Sequence, residues 1–227
     1  MKSLSRYIQE KLVIKKTKTL NYKYFPQTKE ELKEIIEKRI KDEGNEVDLN
    51  DIDVSNITDM SSLFVGTDFN GDISNWNTSN VADMSFMFYD CESFNKDISQ
   101  LDVSNVTNMY GMFSGCKLFN QDISTWDVSN VVNMNFMFYQ CYKFNKDISS
   151  WDVSNVKDMS YMFSYCESFN QDLSNWDVSK VTDINSMFYH CKVFNQDISN
   201  WDVSNVSNMK QIFDYCPIEE KYKPKFK

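Results

Sequence analysis

A 25-residue pattern that recurs along the chain constrains its fold more than any other feature of the sequence. The copy at 144–168 reads FNKDISSWDVSNVKDMSYMFSYCES, and similar copies precede and follow it. Self-similarity at a fixed period of 20 to 50 residues is typical of repeat arrays, in which a unit buries its apolar side against its neighbours. We recognise seven units, which open at Asp48, Asp72, Asp97, Asp122, Asp147, Asp172 and Asp197.

The spacing of apolar residues within one unit predicts two short elements. Ile148, Trp151 and Val153 lie in a stretch bounded by Asp and Ser, which favours a brief strand. The apolar residues that follow recur at intervals of three and four, which indicates one or two helical turns with Ser154 or Asn155 as N-cap. These residues are Val156, Met159, Met162, Phe163 and Cys166. The pattern therefore predicts an α/β solenoid of about seven coils, each with a short strand and a short helix.

Aromatic residues occupy the same positions in successive units. All five tryptophans share one position, where Leu101 stands in the third unit. Two phenylalanine positions give one row at Phe64, Phe88, Phe113, Phe138, Phe163, Phe188 and Phe213, and another at Phe69, Phe94, Phe119, Phe144, Phe169 and Phe194. Because adjacent parallel strands lie about 4.8 Å apart, we expect equivalent rings of neighbouring units to stack in the core.

The cysteines also follow the repeat. They stand 25 residues apart at Cys91, Cys116, Cys141, Cys166, Cys191 and Cys216. Buried free cysteine behaves as a small apolar residue, so we predict an inward-facing ladder of reduced thiols. Neighbouring coils would bring these residues within disulfide range, so spacing alone does not exclude bridges, but parallel side-chain directions favour free thiols.

Polar residues recur as well. A row of asparagines, Asn70, Asn95, Asn120, Asn145, Asn170 and Asn195, is expected to bond the backbone of neighbouring coils. Two rows of aspartates raise the question of calcium, which repeated Asp turns bind in other solenoids. Because the chain has only five glycines and lacks glycine-rich loops, we predict instead that each Asp caps local amides.

The chain divides into an N-terminal segment (1–44), the repeat array (45–216) and a basic C-terminal tail (217–227), which we expect to be frayed or folded over the last coil. Apolar residues at helical spacing indicate a short amphipathic helix at 1–13.

Thr28 and Glu31 match a capping box, which predicts a helix from Lys29 to Asp42 that Gly44 closes. Such a helix, with one apolar and one charged face, would cover the exposed cross-section of the first coil.

Charge is unevenly distributed. Residues 51–216 carry 8 Lys and Arg against 22 Asp and Glu, a net charge of −14 within a chain of net charge −9. An acidic array argues against binding to nucleic acid, whose phosphates require clustered Lys and Arg. The basic segment 11–23 could bind an acidic partner, but a solvated lysine-rich face is the commoner meaning of such a pattern.

The N-terminus has no apolar stretch of signal-peptide length, and no segment is apolar enough to span a bilayer. We therefore expect no membrane span, and a protein that is cytoplasmic or released without a standard signal peptide.

No residues are arranged as in an enzyme or a metal site. The only histidine, His190, stands where other units have Asp90, Gly115, Gln140, Tyr165 and Tyr215, so surface variation explains it best. Its neighbour Cys191 belongs to the core row, and no second ligand cluster has zinc spacing. We predict no catalysis, no cofactor and no metal.

Partner binding is expected at positions that vary between units, because the repeated positions are needed for packing. Tyr and Phe are enriched at contact surfaces. On the arm predicted to be helical, these candidates are Phe86, Tyr89, Tyr110, Phe136, Tyr139, Tyr161, Tyr165 and Tyr189. The alternative is that they only cover the helix edges, and the residues alone leave both interpretations open.

The unit at 169–191, FNQDLSNWDVSKVTDINSMFYHC, resembles the 25-residue repeat of BspA-like leucine-rich-repeat surface proteins. The resemblance covers about 45–216. It implies a right-handed, leucine-rich-repeat-like solenoid that binds proteins, with family members acting in adhesion. Those members often lie at the cell surface and carry a secretion signal, which we do not expect here. The N-terminal segment, with Tyr22-Lys23-Tyr24-Phe25-Pro26 and a Glu/Lys-rich helix, resembles that of stand-alone members without such a signal.

Two functions follow from these observations. The first is a non-enzymatic protein-interaction module, as a monomer or with weak self-association, whose partner the sequence does not identify. The alternative is a structural or self-assembling accessory protein, for example of a phage or virus particle.

Overall fold

A computed structural model describes residues 21–226 of the protein. It contains one α-helix, α1 (Lys29–Glu43), and one 3₁₀ helix, Glu220–Tyr222. The helix predicted at 1–13 and most of the basic segment 11–23 lie outside the described residues. Between the two helices the described chain consists of turns and isolated β-bridges.

The predicted boundaries of α1 are confirmed to within one residue. The Thr28 hydroxyl accepts a hydrogen bond from the Glu31 amide, and the Glu31 carboxylate accepts one from the Gln27 amide. The Gly44 amide donates to the Ile40 carbonyl at the other end, with φ at +91°. The capping box thus satisfies amides that the helix start leaves free, and the Gly44 amide satisfies a carbonyl that the helix end leaves free.

α1 lies over the first unit. Leu32 and Ile36 are buried in the same core as the repeats. The Arg39 guanidinium contacts the Asp51 carboxylate at 2.7 Å, and the Lys29 ammonium contacts that of Asp59 at 3.2 Å. The helix therefore covers apolar surface that a terminal unit would otherwise expose.

Successive units pair through their backbones in parallel register. The isolated parallel bridges join Asp59 to Asp83, and then continue through Asn108, Asn133, Asp158 and Asp183 to Asn208. Around each bridge, alternate amides of one unit donate to carbonyls of the next, at 2.7–3.0 Å. The units are thus stacked side by side, and each contributes one layer.

The predicted short helix of each unit is absent, and that prediction was wrong. The Met162 amide bonds the Met159 carbonyl, and the Cys166 amide bonds that of Phe163, so this arm is a series of tight turns. The amides of Met159 and Phe163 donate to the next unit, at Asp183 and Met187. Tight turns also place apolar residues inward at intervals of three and four, which is why the spacing resembled a helix.

The backbone of the turn arm requires left-handed residues. Each unit has two with positive φ, four residues apart, such as Tyr161 (56°) and Tyr165 (61°). They stand third in the turns closed by Met162 and Cys166, the position at which a type II turn needs positive φ. A continuous α-helix is incompatible with these angles.

The predicted strand at Ile148–Val153 is also wrong. Trp151 and Val156 bond back to Ile148 and Val153 in two more turns, and the bridges lie on the other arm, at Asp158. Ser154 is therefore not a helix N-cap; its amide donates to the Asp152 carboxylate.

The core is formed by the rows that the repeat predicts. The Trp and Phe rows are buried except at the last unit, where Phe213 is half-buried. Phe163 stacks on Phe188 of the next unit at 5.7 Å and on Phe169 of its own unit at 4.2 Å. The predicted stacking of equivalent rings is confirmed.

Polar ladders hold the layers in register. The Asn145 side-chain oxygen accepts from the Asn170 amide at 2.9 Å, and the same bond recurs along the asparagine row, as predicted. Each Trp indole N–H donates to a carbonyl of the preceding unit, as from Trp151 to Ile123 at 3.1 Å. The buried indole N–H groups therefore have partners in the neighbouring layer.

The six cysteines are free, and five of them are buried. Cys141 donates its S–H to the Phe113 carbonyl at 3.0 Å, and the same contact recurs from Cys91 to Cys191. Burial raises the pKa of these thiols, to about 12 for Cys91. They are protonated core residues that link adjacent layers.

The C-terminal tail folds over the last unit. The Ile198 amide bonds the Tyr222 carbonyl at 3.0 Å, and Ile218 is buried. Lys223 of the tail lies over the ring of Phe213 at 5.6 Å, but no backbone carbonyl of the described tail accepts the free amides of this turn arm. Among the described residues, the amides of Met209, Gln211 and Phe213 have no acceptor, unlike their equivalents in the six preceding units.

Candidate partner-binding surface

All eight sequence-predicted aromatic residues lie on one surface of the stacked units. Neighbouring rings contact each other from the second unit to the sixth, with centroid distances of 4.4–6.1 Å, as in Phe86–Tyr110 (4.4 Å) and Tyr110–Phe136 (6.1 Å). The row continues through Tyr139–Tyr165 (5.9 Å) and Tyr165–Tyr189 (5.4 Å). We call the eight residues together with His190 and Tyr215 the aromatic band.

Every one of the eight predicted side chains is half-buried. This follows from their position, because they belong to the turn arm and pack against rings of the next layer, edge to face in most pairs and face to face in one. Phe136 stacks on Tyr161 at 4.4 Å and 8°. The surface is therefore formed by ring faces and edges rather than by freely projecting side chains, and it is held rigidly by the layers beneath it.

His190 and Tyr215 belong to the band although they were not predicted as site residues. The His190 ring stacks on Tyr165 at 4.8 Å and on Tyr215 at 4.3 Å. Tyr215 is 71% exposed, the largest exposure among the large apolar residues described. The signal was in the sequence, since Tyr165, His190 and Tyr215 stand at one position of three successive units.

An open groove lies within the band at the third unit. It has a volume of about 450 Å³ and is lined by Phe86, Tyr89, Tyr110, Ser114, Phe136 and Tyr139. Tyr89 and Tyr139 are equivalent residues of the second and fourth units, and Ser114 occupies their position in the third. A small residue between two tyrosines therefore creates the groove.

Two glycines of the third unit, next to the lining residues in sequence, let side chains of the second unit approach closely. A Cβ on Gly111 would lie 2.8 Å from the ring of Phe86, and one on Gly115 would lie 2.1 Å from the Asp90 carboxylate. Both glycines also have positive φ. The third unit thus combines Gly111, Ser114 and Gly115, which lets side chains of the second unit lie over it.

Two tyrosines of the band, Tyr139 and Tyr189, have raised pKa values and so remain neutral phenols near physiological pH. Burial is the main cause that raises the pKa of Tyr139 and of Tyr189, and the neighbouring Tyr165 raises both further. Neutral phenols can donate and accept hydrogen bonds and present an electron-rich ring face. The band therefore offers contacts to apolar groups, to polar groups and to cations.

The remaining chemistry of the described chain is structural. No group of three or more His, Cys, Asp or Glu residues in 21–226 could hold a metal ion. The aspartate rows accept local amides, as Asp147 does from Ser149 at 2.9 Å. Cys191, beside His190, is buried and donates to the Phe163 carbonyl. Within the same residues, no helix is long and apolar enough to cross a bilayer.

These observations define a repeat protein. The model of a family described as Mycoplasma protein of unknown function, DUF285, matches the chain twice, at 30–141 and 117–223. The two matches cover most of the chain, which therefore belongs to this family. No curated protein and no solved structure shows a significant match to it.

Proposed function

We propose that the protein is a non-enzymatic binding module that recognises another protein through the aromatic band. The observation that carries this proposal is the continuity of the band across the second to seventh units. Interaction surfaces are enriched in Tyr and Phe that are held rigidly at low entropic cost. Packing alone does not require these residues, because the same positions hold Ser or Gly in other units.

The array that presents the band is proposed to be a leucine-rich-repeat-like, right-handed solenoid, as the resemblance to BspA-like surface proteins implies. The parallel pairing of units and their constant period support this architecture. An adhesion-type role, in which the band contacts a protein of another cell or of a matrix, is the form of binding that this resemblance favours.

A capture experiment with wild type and two variants tests the proposal. The full chain is immobilised, and proteins retained from host or matrix extracts are compared with those retained by the Tyr89/Tyr139/Tyr189→Ala variant. The matched control is Leu118/Lys143/Val193→Ala, which truncates three exposed side chains from another row. We expect the tyrosine variant to lose a partner that wild type and control retain. Equal retention by all three would reject the band as the binding surface.

The second candidate function, self-assembly, is supported by a different observation. Three amides of the seventh unit have no acceptor among the described residues, and three carbonyls of the first unit have no donor among them. The two sets match in register: Met209, Gln211 and Phe213 correspond to Asp59, Ser61 and Leu63. Two copies could extend the ladder head to tail, although α1 covers part of the first unit. Light scattering across a concentration series separates the candidates: growing mass supports assembly, and a constant monomer mass rejects it.

A further inference from the structure

The groove of the third unit has a distinctive chemical lining. Five of its six lining residues are aromatic, and the sixth, Ser114, is buried at the floor. None of the lining residues is charged at neutral pH. Ring faces in such a site attract a cation through the negative electrostatic potential above the ring.

The same protein already places cations over rings elsewhere. Arg39 lies 5.4 Å from the ring centre of Tyr24, and Lys223 lies 5.6 Å from that of Phe213. Both contacts are at the ends of the array. No cationic side chain of residues 21–226 lies over a ring that lines the groove. Lys117, which is close enough to interact with Asp90, has its ammonium 2.7 Å from the Glu92 carboxylate.

The charge around the groove is negative, which favours a cation as the ligand. The Asp90 carboxylate lies against Gly115 beside the floor. It makes no ion pair with another described residue. The array as a whole carries a net charge of −14 over residues 51–216. An anionic ligand would be repelled by this field, whereas a cation would be attracted to it from a distance.

We propose that the groove binds a cationic side chain, arginine or lysine, of the protein partner. This inference rests on the proposed function and assigns a chemical class to the partner. The guanidinium or ammonium would lie between the rings of the second and fourth units, next to Tyr110 of the third unit. The Asp90 carboxylate would supply the opposite charge at the edge of the groove. The partner surface is therefore basic at the point that enters the groove.

The test uses a probe with a single positive charge. N-acetyl-arginine methylamide is titrated into the full chain, and the backbone amide shifts of Gly111, Ser114 and Gly115 are followed by NMR. The comparison probe is N-acetyl-citrulline methylamide, which has nearly the same shape and no charge. We expect saturable shifts with arginine and binding about tenfold weaker with citrulline. Equal binding of both probes, or no arginine binding, would overturn the proposal.

Two pairs of matched variants locate the site. Tyr139→Ala removes a ring of the groove, and Tyr189→Ala removes the equivalent ring two units further on, outside it. We expect Tyr139→Ala to weaken arginine binding about tenfold and Tyr189→Ala to leave it unchanged. Equal losses would show that the cation is not bound in the groove.

Asp90→Asn is expected to weaken arginine binding without making that binding more dependent on salt concentration. Asp214→Asn, at an exposed position of the last unit, should leave arginine binding unchanged. If both substitutions weaken arginine binding equally, Asp90 acts only through the net negative charge of the array, and its assignment to the groove is wrong.

The two proposals fail in distinguishable ways. If capture of a partner depends on the band but the groove does not distinguish arginine from citrulline, the cation site is rejected and the binding function stands. If the arginine probe binds the groove while the tyrosine variant retains every partner, the groove stands as a cation site and the proposed function is rejected.

Discussion

The interior and the aromatic band of this protein are built from the same kinds of residue but follow different rules. In the interior, Phe163 has equivalents in all seven units and is fully buried. Two residues earlier, Tyr161 is half-buried, and its position holds Phe, Gly, Ser or Gln in other units. The comparison teaches that aromatic rings are required by packing at the first position and only permitted at the second. The band is therefore where the chain can carry a specific function.

The largest expected difference between the two regions is their response to alkaline pH. The pKa of each buried thiol is raised in the folded state, to about 12 for Cys91, because burial disfavours the thiolate. Unfolded thiols ionise above about pH 8.5, so the unfolded state binds fewer protons there. The free energy of unfolding is thus unaffected below that pH and falls as pH rises toward the folded pKa, by about 1.4 kcal/mol per pH unit for each thiol.

Denaturant unfolding at pH 8 to 10, under reducing conditions, measures this loss. Cys141→Ala should be less stable than wild type at pH 8, but its stability should fall with pH less steeply, by about one thiol's share. The band offers the contrast, because Tyr161→Ala should leave the slope nearly unchanged. A wild-type stability that is independent of pH up to 10 would show that the thiols are not buried in the folded state.

The next largest effect is expected from the tryptophan row. Trp151→Ala removes a side chain that is 3% exposed and breaks the indole bond to Ile123. We expect a loss of about 3–5 kcal/mol in the free energy of unfolding, the usual cost of truncating a core aromatic residue. Trp151→Leu should cost less, because the third unit naturally has Leu101 at this position.

Urea unfolding of the three proteins measures these values, with Tyr161→Ala as the band variant. Because Tyr161 is half-buried, its truncation should cost about 1 kcal/mol, near the centre of the range for single substitutions. A Trp151→Ala loss no greater than that of Tyr161→Ala would contradict the division between interior and band.

Much of this division was readable in the sequence, and the reason is the repeat. A residue type that returns every 25 positions must meet the same neighbours in each layer, so the buried Trp, Phe and Cys rows could be assigned without the structure. The eight band residues could be grouped for the opposite reason, as large rings at positions that vary. The asparagine ladder and the aspartate caps followed from the known preferences of these side chains in turns.

The backbone of the unit could not be read in the same way. Intervals of three and four between Val156 and Cys166 fit a helix and a series of tight turns equally well. What separates them is the positive φ of residues such as Tyr161 and Tyr165, and non-glycine residues rarely adopt it. Here the bonds to the next layer stabilise that conformation, and this cooperation between units is not visible in one unit. The groove was missed because it depends on contacts between three layers.

A smaller effect is expected from the asparagine ladder that joins successive units. Asn145→Ala removes the oxygen that accepts from the Asn170 amide at 2.9 Å and from the Gln171 side chain at 2.8 Å. The site is exposed, so water can replace the lost partners, and we expect a cost of about 1 kcal/mol. Gln171→Ala removes the bonds of the Gln171 side-chain amide to the side-chain and backbone oxygens of Asn145 but keeps the bond from the Asn170 amide, so it should cost less. Equal costs for the two variants in urea unfolding would show that the backbone bond contributes nothing.

The smallest effect is expected from calcium, at the aspartate rows on the outside of the turns. Metal binding would need carboxylate oxygens that are free to coordinate, but Asp122, Asp147 and Asp197 each accept the amide of the serine two residues later, at 2.9–3.0 Å. These bonds also lower the pKa of each carboxyl, so the caps are lost only at acidic pH. We expect the melting temperature to be the same, within about 1 °C, in millimolar calcium and in chelator, since calcium bound only to the folded state would raise it. A rise of several degrees with calcium, absent with magnesium at the same ionic strength, would show that the rows bind metal in addition to capping their turns.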